Sequence, residues 1–575
     1  MMRLSYCFLL ILTFLLSCKT DSNVLKDTTL DLRLPKEPEK INPIYFPNST
    51  AREVYQYIFL PLAEYDPETY QMTPLLIKSI PNAELVSDGP YKGFTRYTFE
   101  ILEEARWDDG KPVTGEDYIF TLKAIMHPGT SASAYRSVVS KFGDVVIDPS
   151  NVKKVSVFFD TYFMLAKEAV VNIEILPKHI YDPNQALDKY TFAQFKKEDQ
   201  IEKLTKTDSL LLKFGEESNT PKYTKDIVSS CGPYKLAAYN SQNIILEKKK
   251  DYWGKDIKQI GLAQYPEKII IHFLPDETAA IARLQNGELD VLSNISTANF
   301  DQLKKNAPSE YSFQNPQLMK SYNILVNTQD PMLGSIKVRK ALASVIDIKR
   351  IITTFENGMG DQVIGPISPS KPYYNKKIAP YSYDIDKAKS WLSEDGWVDS
   401  NKDGSVDKKL QGKQTELNID LIYSGELGKN IALLIKEDAM KAGIKLNIIQ
   451  KDIKLARSEN IETGKYQLFM QSSTQDLGFE ELGLRFHSSN AEAGKGNHSL
   501  YKNPKVDELI DKINETTSDD ERMNYYREIQ VILHEDLPNI YLYAPKEKII
   551  ISKRWIGSTN AKRPGYQANT FKPNT

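Results

Sequence analysis

The clearest alternation of apolar and polar positions lies between residues 268 and 296. Ile269, Ile270 and Ile271 form a β-branched run of the kind found in buried strands. Asp276 then offers an N-cap oxygen, and Ala280, Ile281 and Leu284 share one face at helical spacing. Gly287 sits where a left-handed C-cap is wanted, and Leu289, Val291 and Leu292 begin another strand. The pattern predicts a strand–helix–strand unit with a right-handed crossover, and an exit from the first lobe near residues 293–298. Upstream, residues 29–34 alternate as a half-exposed strand, and 52–60 read as a helix. Downstream, 322–327, 417–422 and 444–449 read as strands. Val338, Ala341, Leu342 and Val345 stripe one helix, Asp347 caps the next, and 429–442 form a third. Val506, Leu509, Ile510 and Ile513 mark a further helix, and Ser518 with Glu521 a capping box for the one after it. Residues 540–543 read as a strand returning to the first lobe. Such alternation of strands and helices, without a repeat at solenoid periods, predicts two α/β lobes.

A chain of 575 residues is too long for one core, and two or three domains are expected. A formal charge of −2 gives no electrostatic case for nucleic acid or an anionic membrane surface. Arg3 followed by the apolar run 8–16 is too short for a span of roughly 20 residues, but fits a secretory signal. Leu15-Leu16-Ser17-Cys18 resembles a bacterial lipobox, which implies cleavage before Cys18 and lipid on it. Residues 1–17 are then a signal peptide and 18–28 a lipidated tether. Of the 3 cysteines, Cys7 leaves with the signal and Cys231 has no internal partner. The 32 tyrosines suit strands, or surfaces that contact varied ligands.

Catalytic motifs are missing from the sequence. Gly428-Lys429 and Gly494-Lys495 lack the rest of a phosphate-binding loop, and neither a G-x-S-x-G elbow nor an H-E-x-x-H helix occurs. Asp399, Asn401, Asp403, Gly404 and Asp407 imitate half a calcium loop, but Leu410 replaces the twelfth-position Glu, so an exposed turn is the reading. His487 and His498 lack a ligating partner and read as polar surface. No enzyme activity, cofactor or metal is expected.

Five motifs, in order over about 400 residues, resemble extracellular solute-binding family 5, the peptide- and nickel-type receptors of ABC importers. Trp107-Asp108-Asp109-Gly110-Lys111-Pro112-Val113-Thr114-Gly115-Glu116-Asp117 is the first. Gly232-Pro233-Tyr234 with Tyr252-Trp253-Gly254 follows, then Gly287-Glu288-Leu289-Asp290. Val338-Arg339-Lys340-Ala341-Leu342 with Ile346-Asp347 comes next, and Asn497 to Tyr501 with Asn503-Pro504 last. The first glycine of the family's G-T-G-P-Y is lost, and Cys231 replaces its threonine. Residues 188–225 form a longer, charged and helical insertion than the family carries.

The resemblance implies a two-lobed, periplasmic-binding-protein-like α/β fold of cluster C type, with an extra subdomain inserted in lobe I. Lobe I is expected to span 29–60, 186–296 and 537–575, its subdomain 61–185, and lobe II 297–536. It also implies a monomer, exported and held by its lipid at the periplasmic side or the cell surface, that closes on a ligand between its lobes and passes it to an ABC permease. Oligopeptides are the favoured ligand. A nickel chelate, an oligosaccharide or another small solute, or a glycan-binding or structural surface lipoprotein, are the alternatives. In peptide-binding members an aspartate after a lobe II strand pairs with the ligand's ammonium, and Asp476 holds that position, without the neighbouring Trp and Pro of the family pattern. A solvated loop aspartate is the other reading. Arg485, Asn497 and Tyr501 follow on the same expected wall, Arg485 as a carboxylate ligand or a surface ion pair.

Overall fold

Twelve strands, followed along the chain, set out the architecture of the computed structural model, which describes residues 28–45, 48–307 and 309–574. The expected signal segment and Cys18 lie outside the described residues. Six strands come first: β1 (Thr29–Leu34), β2 (Tyr234–Tyr239), β3 (Asn243–Lys248), β4 (Lys268–Phe273), β5 (Val291–Leu292) and β6 (Tyr311–Gln314). Five follow in the second lobe: β7 (Lys320–Val326), β8 (Asn418–Tyr423), β9 (Lys445–Gln450), β10 (Leu468–Thr474) and β11 (Asn539–Tyr541). The chain then returns as β12 (Ile549–Ser552). Five helices matter for the site: α1 (Ser49–Tyr55), α2 (Gly115–Met126), α3 (Glu277–Gln285), α4 (Pro504–Glu515) and α5 (Asp519–Asp536).

The first sheet runs β6-β12-β5-β1-β4-β3-β2. The 268–296 unit forms as its pattern predicts: the Asp276 carboxylate accepts from the Ala279 amide at 2.7 Å, and Gly287 is left-handed at φ +75°. Its two strands do not pair with each other. β1 lies between them, parallel to both, with Leu32 opposite Ile271 on one side and Val291 on the other. Leu30, Leu32 and Leu34 are buried, as the alternation requires.

The second sheet runs β9-β8-β10-β7-β11. Its core takes Val338, Ala341, Leu342 and Val345, the stripe read from the sequence. A third, antiparallel sheet orders Ala83–Leu85, Thr95–Glu100, Asn151–Phe159 and Asp144–Asp148. Tyr118 of α2 packs edge-on against Phe99 of that sheet, with centroids 5.1 Å apart, and both belong to one apolar cluster with Leu32 and Ile271 of the first sheet, so subdomain and first lobe share one core. Insertion 188–225 is helical, with Ile201, Leu211 and Phe214 turned inward from Glu198–Thr207 and Ser209–Ser218.

Two boundaries differ from the sequence reading. β6 pairs with β12 in the first sheet, so the chain leaves lobe I after residue 314 and not at 293–298. β11 pairs with β7, so 539–541 stays in lobe II instead of returning to lobe I. Among the described residues the chain crosses between the sheets twice, at 315–319 and 546–548, and the two segments run side by side. Gln317 bridges Lys546, and the Glu547 amide donates to Pro316 O at 2.9 Å.

Candidate functional site

Helix α1 packs into the core of the first lobe. Asn48 caps it, accepting from the Ala51 amide at 2.8 Å, and it buries Ala51, Val54 and Tyr55. Beyond its end, the Gly232 amide donates to Ile58 O at 2.9 Å. A Cβ on residue 232 would stand 2.3 Å from that oxygen, so only glycine fits. Trp253 Nε1 donates to Cys231 O at 2.9 Å, so the Gly-Pro-Tyr and Tyr-Trp-Gly pieces work as a bracket for α1.

The bracket leaves Arg52 exposed. Desolvation opposes its charge, yet the net effect holds the guanidinium above its ordinary range. Glu174 dominates the raising effects, followed by Tyr55, Tyr135 and, from lobe II, Asp476. Glu174 bridges Pro61 and is buried, and Tyr135 Oη donates to its carboxylate at 3.4 Å. Burial pushes the Glu174 carboxyl up, against the opposing charge of Arg52.

On the facing wall, residues 475–480 follow β10 as a braced loop. The Gln475 amide donates to Met319 O at 2.8 Å, and Gln475 Oε1 accepts from the Ser368 amide at 3.0 Å. Lys371, its side chain wholly buried, donates to Gly478 O at 2.7 Å and to Glu480 Oε1 at 2.5 Å. Tyr373 Oη donates to the same Gly478 carbonyl at 3.0 Å, and Tyr526 Oη to Glu480 O. Desolvation depresses the Lys371 ammonium, and Glu480 opposes that shift. Within this rigid frame Asp476 is exposed, and among the described residues its carboxylate accepts no hydrogen bond.

The lobes touch beside this loop. Tyr162 Oη donates to Thr516 O at 3.1 Å and accepts from Arg522 Nη2 at 3.0 Å. Met164 joins the apolar cluster of α4 and α5, and Tyr65 lies against Gly478. Tyr65 Oη in turn donates to the Glu168 carboxylate, whose pKa burial raises.

The four sequence candidates do not converge. Asp476 stands at the junction. Arg485 Nη2 donates to Glu480 Oε2 at 3.0 Å, so its charge braces the Asp476 loop. Asn497 is fully buried within lobe II; its amide donates to His487 O at 3.2 Å and Tyr501 O at 2.8 Å, and its oxygen accepts from the Tyr501 amide. Tyr501 is buried as well and donates to Asp536. Both are corrected from candidate ligand contacts to parts of a closed loop, since their polar groups are already satisfied away from the junction. Sequence reading missed Arg52, Glu174, Lys371 and Glu480. For Arg52 a trace existed: a cation within a short helix whose neighbours Val54, Tyr55 and Ile58 are all apolar.

The remaining polar motifs serve local structure. Asp399 accepts from the amides of Asp403 at 3.1 Å and Gly404 at 3.0 Å, which closes the turn on itself. Among the described residues no group of three or more His, Cys, Asp or Glu is placed to hold a metal ion, and no helix is long and apolar enough to cross a membrane.

Two α/β sheets joined by two adjacent crossing segments, with a braced loop against Tyr65 at their junction, define the class of two-lobed solute-binding proteins. The model for bacterial extracellular solute-binding proteins, family 5 (middle), matches residues 72–494, and the chain belongs to that family. The oligopeptide-binding protein AppA of Bacillus subtilis is 24% identical over 537 residues, 91% of this chain and 87% of that protein. Its structure, in complex with a nonapeptide, superposes with TM-score 0.66 at 20% identity over 95% of this chain and 99% of that one. HbpA2 of Haemophilus parasuis superposes at 0.75, with 17% identity over 95% of this chain and 100% of its own. NikA of Brucella suis, in complex with Fe(III)-EDTA, superposes at 0.73, with 17% identity and the same coverage. AppA is named for the oligopeptides it binds.

Proposed function

We propose that this protein is the substrate-binding lipoprotein of an ABC importer, which captures oligopeptides between its lobes and delivers them to a membrane permease. The observation that carries the peptide reading is Asp476, a carboxylate without a hydrogen bond or ion pair among the described residues, on a rigid loop facing lobe I. A ligand ammonium drawn from water needs such a partner, and the bracing of the loop spares the cost of ordering it on binding. The peptide named in the AppA complex supports the same ligand class. Ligand bridging both lobes favours the closed arrangement over the open one, because only the closed form offers contacts from both sides. Lipid on Cys18 would keep the protein at the envelope, beside the permease.

Native mass spectrometry of the protein as purified tests this reading. A ladder of peptide masses released on denaturation is the expected result. A single metal-chelate, haem or sugar mass in its place would overturn the peptide assignment and leave the receptor class intact.

A further inference from the structure

We infer that Tyr162 and Met164 are positioning residues for capture: they latch lobe I onto lobe II directly, and so keep a closed arrangement populated before any ligand binds. The inference rests on the reading of the protein as a receptor that closes on its ligand.

The latch is mounted rigidly on the subdomain. Tyr162 and Met164 sit in the turn between the strand Asn151–Phe159 and the helix Ala166–Val171. Phe163, between them, turns back to its own side and packs edge-on against Phe159, with centroids 5.4 Å apart. The Ala166 amide donates to Phe163 O at 3.0 Å and the Ala169 amide to Leu165 O at 2.8 Å, which starts the helix and fixes the turn. Tyr118 Oη, from α2, donates to Val170 O at 2.9 Å and ties that helix to the subdomain core.

Its seat in lobe II is equally well held. The Arg522 side chain is buried, and its Nε donates to Ile513 O at 3.2 Å, while Asp519 and the Thr516 carbonyl take its other nitrogens. That guanidinium lies 5.1 Å from the centre of the Phe479 ring, within the loop that carries Asp476, and Phe479 stacks on Tyr526 at 5.8 Å. Tyr162 Oη donates to Thr516 O at 3.1 Å and accepts from Arg522 Nη2 at 3.0 Å, so one lobe I hydroxyl spends both its roles on lobe II. Met164 is buried in the cluster of Leu482, Leu509 and Ile513, and its Sδ lies 3.4 Å from Tyr526 Oη. The Lys167–Asp519 pair, at 3.7 Å on the exposed rim, adds little.

Opening the lobes would return Met164 to water and break both hydrogen bonds of Tyr162, with no ligand involved in either loss. Contacts between the lobes themselves therefore supply part of the closing free energy. A ligand has only to supply the remainder, so its apparent affinity rises with the fraction already closed.

Double electron–electron resonance tests the latch, with spin labels on Glu104→Cys of the subdomain and Lys505→Cys of lobe II. Both positions are exposed, and the native Cys231 is buried. The labelled protein is freed of solute by unfolding in guanidinium and refolding. With the latch otherwise intact it should show a short-distance population. Tyr162→Phe/Met164→Ala should cut the ratio of short to long distances by about tenfold or more. Tyr162→Phe alone, which keeps the ring, should cut it about threefold, and guards against a packing defect from truncating Met164. The long distance alone in the intact protein, or a short-distance population that neither variant lowers, would overturn the inference. Because no ligand is added, either result stands whether or not the masses released from the purified protein are peptides.

Discussion

Gly478→Ala tests whether closure against lobe I is part of binding. Gly478 belongs to the lobe II loop that carries Asp476, and Tyr65 approaches it from lobe I. A Cβ on residue 478 would lie 2.6 Å from Tyr65 Cε2, 2.7 Å from Cζ and 2.8 Å from Oη. Carbon atoms settle at about 3.5–4.0 Å, so the ring would have to withdraw by about 1 Å. It is not free to do so without loss, because Tyr65 Oη is bonded to the Glu168 carboxylate. Gly478 is not among the left-handed residues, so alanine adds no backbone strain of its own. The clash therefore acts on the closed arrangement alone, and overpacking of this size costs about 1–3 kcal/mol. Affinity for the co-purifying ligand should fall by about 5- to 150-fold in titration calorimetry. Thermal stability of the ligand-free protein should hardly change, and small-angle scattering should report a weaker contraction on saturation. Combining Gly478→Ala with Tyr65→Leu makes room for the methyl group, so the two changes should be strongly non-additive. Unchanged affinity in Gly478→Ala, or strict additivity in the pair, would refute the argument that the ligand is held by this closure.

Two further outcomes follow from buried charge. Lys371→Met strands Glu480 with Arg485 as its one remaining cation, and should lower unfolding free energy in urea by about 3–5 kcal/mol; Lys371→Met/Glu480→Leu should recover much of that, because no charge is left buried. The Glu174 carboxyl is raised by burial, so its favourable contribution is complete below the unfolded value near 4.5 and is lost as pH climbs through the higher folded value. Wild type minus Glu174→Gln stability should therefore decline with rising pH in that window, by no more than about 1.4 kcal/mol per pH unit. A flat or rising difference would contradict the burial argument.

Local chemistry made much of the fold readable. The caps at Asp276 and Asp347 form as their spacing dictates, since an N-cap is decided within four residues. Ser518 also caps its helix, but the expected capping box does not close, because Glu521 accepts from Thr516 Oγ1 at 2.7 Å and the Ser518 amide donates to that same hydroxyl. Lobe boundaries were misjudged because sheet partners are not local. Nothing near Tyr311 announces that β6 will pair with β12, more than two hundred positions later, and nothing near Ile540 distinguishes the second sheet from the first. The site was harder still. Asp476 was singled out by family resemblance alone, and Asn497 and Tyr501 carry the same polar side chains whether they face a ligand or their own loop, and only burial separates the two. Arg52 and Lys371 exchanged the roles that exposure suggests: the lysine is buried to hold a loop, and the arginine is left without a partner.

The placement of β12 has a consequence for biogenesis. It sits between β5 and β6, so the first sheet lacks an interior strand until residue 552 has been made, after the whole of the other lobe. A chain emerging vectorially from the ribosome thus cannot finish its first lobe early, and the last segment to emerge is the one that completes it. Lateness of this kind leaves the first lobe open while the second can already close, and makes the far end of the chain the part least tolerant of truncation.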